Sequence, residues 1–119
     1  LVLRAMGTAT GMWHKCKERG LMGEAGDSAL HEMVFQAEIT AAKLAGALNS
    51  LCYDHQPDGG FVVACLKRAL GYLHKALGFT DKVEAKKLLQ PEEVSAYRND
   101  LFKVREEILK LMDRFRQEL

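Results

Sequence analysis

The chain has 119 residues, of which 48% are hydrophobic and 28% charged, and its 17 Lys and Arg nearly cancel its 16 Asp and Glu. That composition excludes disordered and fibrous classes, and the length suits one domain burying roughly 65% of its unfolded surface. No apolar run approaches the ~20 residues of a membrane span, and near-neutral charge argues against a general nucleic-acid binder.

The first segment repeats apolar residues at Val2, Met6, Ala9, Trp13 and Cys16, a helical spacing, up to a glycine stop at Gly20. Arg4 and two glycines among its apolar residues do not fit a signal peptide, and the start at Leu1 suggests a segment excised from a longer protein, with residues 1–119 as one domain. Residues 20–27 contain three glycines and read as a loop, after which Asp27 or Ser28 caps a second helix. That helix has the most regular stripe, Leu30, Val34, Ala37, Ala41, Leu44, Leu48 and Leu51, with many small residues that allow a neighbour to approach closely. It should end near Tyr53, because Asp54 to Gly60 is dense in turn residues.

A third helix carries Val62, Leu66, Ala69, Leu73 and Ala76, widened by Cys65, Leu70 and Leu77, and Gly78 is its expected stop. Thr80 or Asp81 then opens a short helix, with Asp81 and Glu84 as a reciprocal capping pair, ending by Leu89 because Pro91 disfavours helix at Gln90. Pro91, Glu92 and Glu93 suit the first turn of a last helix with the stripe Val94, Tyr97, Leu101, Val104, Ile108, Leu111 and Phe115, beside which Phe102 and Met112 widen the apolar face. No segment alternates at the two-residue period of a strand. The expected fold is all-α, an up-down-up-down four-helix bundle with a short additional helix between the third and fourth long ones. The run Ala69, Tyr72, Lys75, Ala76 and Leu77 resembles the second helix of a tetratricopeptide motif, but no other segment repeats it at the 34-residue period of such arrays.

Cys16, Cys52 and Cys65 cannot all pair within one chain, and each lies among apolar residues, so a reducing compartment, cytoplasmic or nuclear, is expected. Cys52 with His55 and His14 with Cys16 are close in sequence, but a structural zinc site needs four convergent ligands, and His14 and Cys16 point to different faces. The Glu-x-x-His motif of bundle di-iron sites does not occur, nor does a phosphate-binding Gly-Lys-Ser/Thr ending. No metal or cofactor is therefore expected, and no catalytic trio stands out.

Arg68 and His74 bracket Ala-Leu-Gly-Tyr-Leu on one helix. That spacing resembles the arginine–histidine signature of HEPN-domain ribonucleases, helical bundles of about this size. The resemblance implies a dimeric ribonuclease in which Arg68 and His74 act on the scissile phosphate. It covers seven residues, and Ala69 replaces the polar residue that usually follows the arginine.

Charge is distributed unevenly: residues 1–60 carry net −2, residues 61–90 net +4 and residues 91–119 net −1. The basic stretch holds Lys67, Arg68, Lys75, Lys82, Lys86 and Lys87. Such a cluster steers acidic partners. Trp13, Phe61 and Phe79 are candidate contact aromatics, since aromatics concentrate at interface hot spots. The expected function is a non-catalytic protein–protein interaction or scaffolding module. Its partner would be an amphipathic helix or acidic peptide, docked in an interhelical groove beside the basic face, or a second copy in a homodimer.

Overall fold

The computed structural model describes residues 1–23, 26–53 and 59–117, with residues 49–53 described by backbone only. It is all-helical, with α1 (Val2–Glu18), α2 (Ser28–Tyr53), α3 (Gly59–Ala85) and α4 (Pro91–Gln117), and no strand among the described residues. The helices form a bundle: α1 packs on α2 and α4, and α3 packs on α2 and α4.

Each described turn follows from local chemistry. Gly20 adopts φ +69, a left-handed conformation that costs glycine little, and Gly20 N–H and Leu21 N–H donate to the carbonyls of Lys17 and Cys16. Asp27 caps α2, its Oδ1 accepting from Ala29 N–H at 2.7 Å. Pro91 opens α4, where Glu93 reaches back to accept from Gln90 N–H at 3.2 Å. The side-chain cap of this turn is therefore Glu93 on Gln90 N–H, with Glu93 N–H donating in return to the Gln90 backbone carbonyl. Asp81 and Glu84 are instead engaged by Arg98, at 2.8 and 3.2 Å.

The expected short helix does not exist as a separate element, because α3 runs through Gly78 to Ala85. Beyond Gly78, Thr80 and Val83 are fully buried, and the Thr80 hydroxyl donates to the Ala76 carbonyl at 2.7 Å. Burying Val83 contributes roughly 1.5–3 kcal/mol, more than the ~1 kcal/mol a mid-helix glycine costs. The stop comes later, where Lys87 takes φ 56 and Lys87 N–H and Leu88 N–H donate to Glu84 and Val83.

The core contains Leu30, Val34, Ala37, Ala41 and Leu44 of α2, Val62, Leu66, Ala69, Leu73 and Ala76 of α3, and Val94, Tyr97, Leu101, Val104, Ile108 and Phe115 of α4, all on the expected stripes. Met112 is buried in place of Leu111, while Leu48 is half-buried and the Leu51 side chain lies outside the described residues. In α1 the buried row is Ala5, Ala9, Met12 and Cys16, so Met6 and Trp13 lie on the flank towards α2 and Val2 is half-buried at the start of the helix. Burial pushes the Cys16 thiol and the Tyr97 phenol up from their ordinary pKa values.

Candidate functional site

The basic residues of the third helix sort by helical geometry. Successive α3 residues turn by about 100°, so residues seven apart lie within about 20° of one line. Arg68, Lys75 and Lys82 follow that spacing, and they are exposed together with Lys67. Arg68 and Lys82 are separated by 14 positions, about 21 Å of helix at 1.5 Å per residue.

The cations sit on a patterned surface. Ala64, Gly71 and Gly78 form an exposed row of small residues on the same outward face. Beside it lie the partly buried Cys65, Tyr72 and Phe79. Lys75 Nζ lies 5.2 Å from the Tyr72 ring centroid, and Lys82 Nζ 4.9 Å from that of Phe79. These contacts hold each ammonium by cation–π attraction without neutralising it. Among the described residues, none of Lys67, Arg68, Lys75 and Lys82 joins an ion pair; the acids of α3, Asp81 and Glu84, are both committed to Arg98 on the α4 flank.

A groove runs along this face, lined by Ala42, Lys43, Gly46 and Ala47 of α2 and by Phe61, Cys65 and Arg68 of α3. It adds a cation that lies outside the basic stretch of the sequence, the exposed Lys43, which also has no ion pair among the described residues. Only the packing of α2 on α3 brings it beside Arg68. Its solitary charge in an otherwise apolar stretch was the one available signal.

Two members of the basic stretch are placed differently. Lys86 binds the Asp27 carboxylate at 3.1 Å, tying the end of α3 to the cap of α2. That contact, followed by the Ala29 N–H bond, holds the Asp27 carboxyl below the usual range. Lys87 occupies the left-handed turn after α3 and borders a hollow with Leu89, Pro91 and Val94. The basic face proper is therefore Lys43, Lys67, Arg68, Lys75 and Lys82.

The Arg68 and His74 pair falls on two flanks of α3. Six positions correspond to about 120° around the axis. Arg68 borders the α2 groove, whereas His74 Nε2 accepts a hydrogen bond from Arg105 Nε of α4 at 3.2 Å. On one chain these two side chains do not converge.

Cys16 is buried with its thiol 3.7 Å from Met12 Sδ, and His14 packs its ring edge-on against Trp13 at 5.0 Å. Trp13 itself carries Lys17 Nζ 4.7 Å from its ring centroid. The Cys52 side chain and His55 lie outside the described residues. No three His, Cys, Asp or Glu side chains converge among the described residues, and no described helix is long and apolar enough to cross a membrane. In comparisons with family models, curated proteins and solved structures, nothing matched this chain.

Proposed function

We propose that this chain is a non-catalytic protein–protein interaction module whose α3 outer face and adjoining α2/α3 groove receive an acidic amphipathic helix. The observation that carries the reading is the set of exposed cations, Lys43, Lys67, Arg68, Lys75 and Lys82, without ion-pair partners among the described residues. Elsewhere Arg19, Lys86 and Arg98 are matched by Glu93, Asp27, and Asp81 with Glu84, while the other exposed lysines with no ion pair among the described residues, Lys17, Lys87, Lys103 and Lys110, do not line the groove. Heptad spacing of Arg68, Lys75 and Lys82 suits a ligand with the same repeat, which is a helix. The groove takes its apolar anchors, and the cations raise the encounter rate and fix its direction.

The framework behind this face is an up-down-up-down bundle. Support comes from the pairing of opposite ends: Arg4 reaches Glu107 while Arg19 reaches Glu93, and His74 meets Arg105 while Asp81 meets Arg98. On this reading the module belongs to a reducing compartment, cytoplasmic or nuclear, where its cysteines remain thiols.

The test is a titration with a synthetic helix carrying Glu at heptad spacing and leucines between. Wild-type protein should bind with an affinity that falls with salt. The triple variant K67E/K75E/K82E should bind at least about tenfold more weakly, about 1.4 kcal/mol, with unchanged helicity. Equal affinity for both proteins would refute the proposal.

A further inference from the structure

α2 is apolar on two sides. Its inner stripe is buried in the bundle, but a second stripe, Phe35, Ile39, Ala42 and Gly46, repeats at steps of four, three and four on the opposite side. Phe35 is 53% exposed, Ala42 and Gly46 are exposed and Ile39 is half-buried. A surface helix ordinarily turns charge outward, as α4 does with Glu92, Lys103, Glu106 and Lys110. The outer face of α2 has the character of a helix covered on both sides.

The stripe is also graded, bulky towards the start of α2 and small towards its end. A two-fold rotation can lay this helix antiparallel on the same helix of a second copy, centred between Thr40 and Ala41. It sets Phe35 opposite Gly46 and Ile39 opposite Ala42. Each layer then joins one large residue to one small one, the requirement for knobs-into-holes packing in a self-complementary interface. The receiving hole is open, since a Cβ on Gly46 would meet nothing within 4 Å. Phe61 walls it on the α3 side, while Met6 lines a neighbouring hollow with Ala42 and Ala45 on the α1 side; the two are 57% and 49% exposed.

Charge and area agree with this occupant. In an antiparallel pair each flank faces its own counterpart, so Lys43 meets Gln36 and Glu38 meets Ala45, with no like charges opposed. At about 200 Å² per phenylalanine, Phe35 and Phe61 together offer about 200 Å² of exposed surface. With Met6, Ile39 and the small residues the stripe supplies about 450 Å² per copy, near the ~1,000 Å² total at the lower edge of specific interfaces. An area of this size belongs to weak, reversible dimers.

We infer that the outer stripe of α2 is a two-fold dimer interface between copies of this chain; it shares Ala42, Gly46 and Phe61 with the α2/α3 groove, so a second copy and an acidic helix compete for that groove. Sedimentation equilibrium from about 1 to about 500 µM in high salt tests it, because an uncharged seam persists where the acidic-ligand site is screened. Gly46→Phe and Phe35→Ala should each weaken the dimer at least about tenfold, and the double variant F35A/G46F should restore it to within about threefold of wild type. Both positions are exposed, so circular dichroism should show folded helices throughout. A wild-type chain monomeric across the range, or a dimer indifferent to Gly46→Phe, overturns the interface and leaves the stripe to a different protein. A double variant as weak as the singles overturns the antiparallel register.

Discussion

Replacing Gly78 by alanine separates the two readings of the third helix by the sign of a single free energy. If Gly78 ended a helix in the left-handed conformation, an alanine there would be strained and the protein destabilised. In the structure Gly78 lies inside α3, is exposed, and a Cβ added to it meets nothing within 4 Å. Gly78→Ala should then gain the full helix-propensity difference, about 0.8–1.0 kcal/mol. At about 2.1 cal/mol/K per residue, a 119-residue chain has an unfolding entropy near 250 cal/mol/K, so Tm should rise by about 4 °C. Thermal denaturation followed by far-UV circular dichroism reads the shift. Gly20→Ala is the control of opposite sign, because Gly20 has φ +69; its Tm should fall. A lower Tm for Gly78→Ala would refute the continuous helix and the packing argument for Thr80 and Val83.

Two further expectations concern the turn after α3 and the start of α4. Lys87→Gly should raise stability by about 1 kcal/mol, since the left-handed conformation at φ 56 strains a lysine and not a glycine; an unchanged or lower denaturation midpoint would contradict that cap. Arg19, chiefly, and then Gln90 N–H hold the Glu93 carboxyl below its ordinary pKa. A depressed folded-state pKa adds stability that is present above the unfolded carboxylate value, ~4.3, and lost as pH falls through the folded one. Glu93→Gln should therefore reduce stability at neutral pH and flatten its decline in acid, and parallel pH profiles for the two proteins would show that Glu93 carries no such linkage.

What was legible in the sequence follows from how each feature is encoded. The stripes of α2 and α4 are long and regular, so helix type, extent and most buried positions could be read directly. α1 offers two overlapping rows: the expected stripe shares Ala9 and Cys16 with the buried row, but the larger Met6 and Trp13 stand in it where the core takes Ala5 and Met12. Gly78 reads as a stop because a local rule cannot weigh the burial of Val83 five residues later. Similarly, Asp81 and Glu84 have the spacing of a cap, but the neighbour that claims them, Arg98, is on another helix. The same limit governs the basic face. Arg68, Lys75 and Lys82 share a face by spacing alone, whereas the diversion of Lys86 to Asp27 and the arrival of Lys43 depend on helix packing.

The pairing of the first helix with the last has a consequence for how the chain assembles. Among the described residues α1 packs on α4, the helix farthest from it in sequence, and its Arg19–Glu93 pair spans 74 positions; Tyr97 O–H, donating to the Met33 carbonyl, likewise ties α4 to α2 across 64. Local helical hairpins close quickly, while a distant contact bears a larger loop-closure entropy. α1, with 17 residues against 26 or 27 in the others, is accordingly expected to dock last and detach first. Its opening would uncover Tyr97, which borders Gly11 and Met12 of α1, while the α2–α3–α4 unit remains assembled. Folding of this chain is in that sense the closing of a ring, and the ion pairs gathered on Glu93 act at the place where it closes.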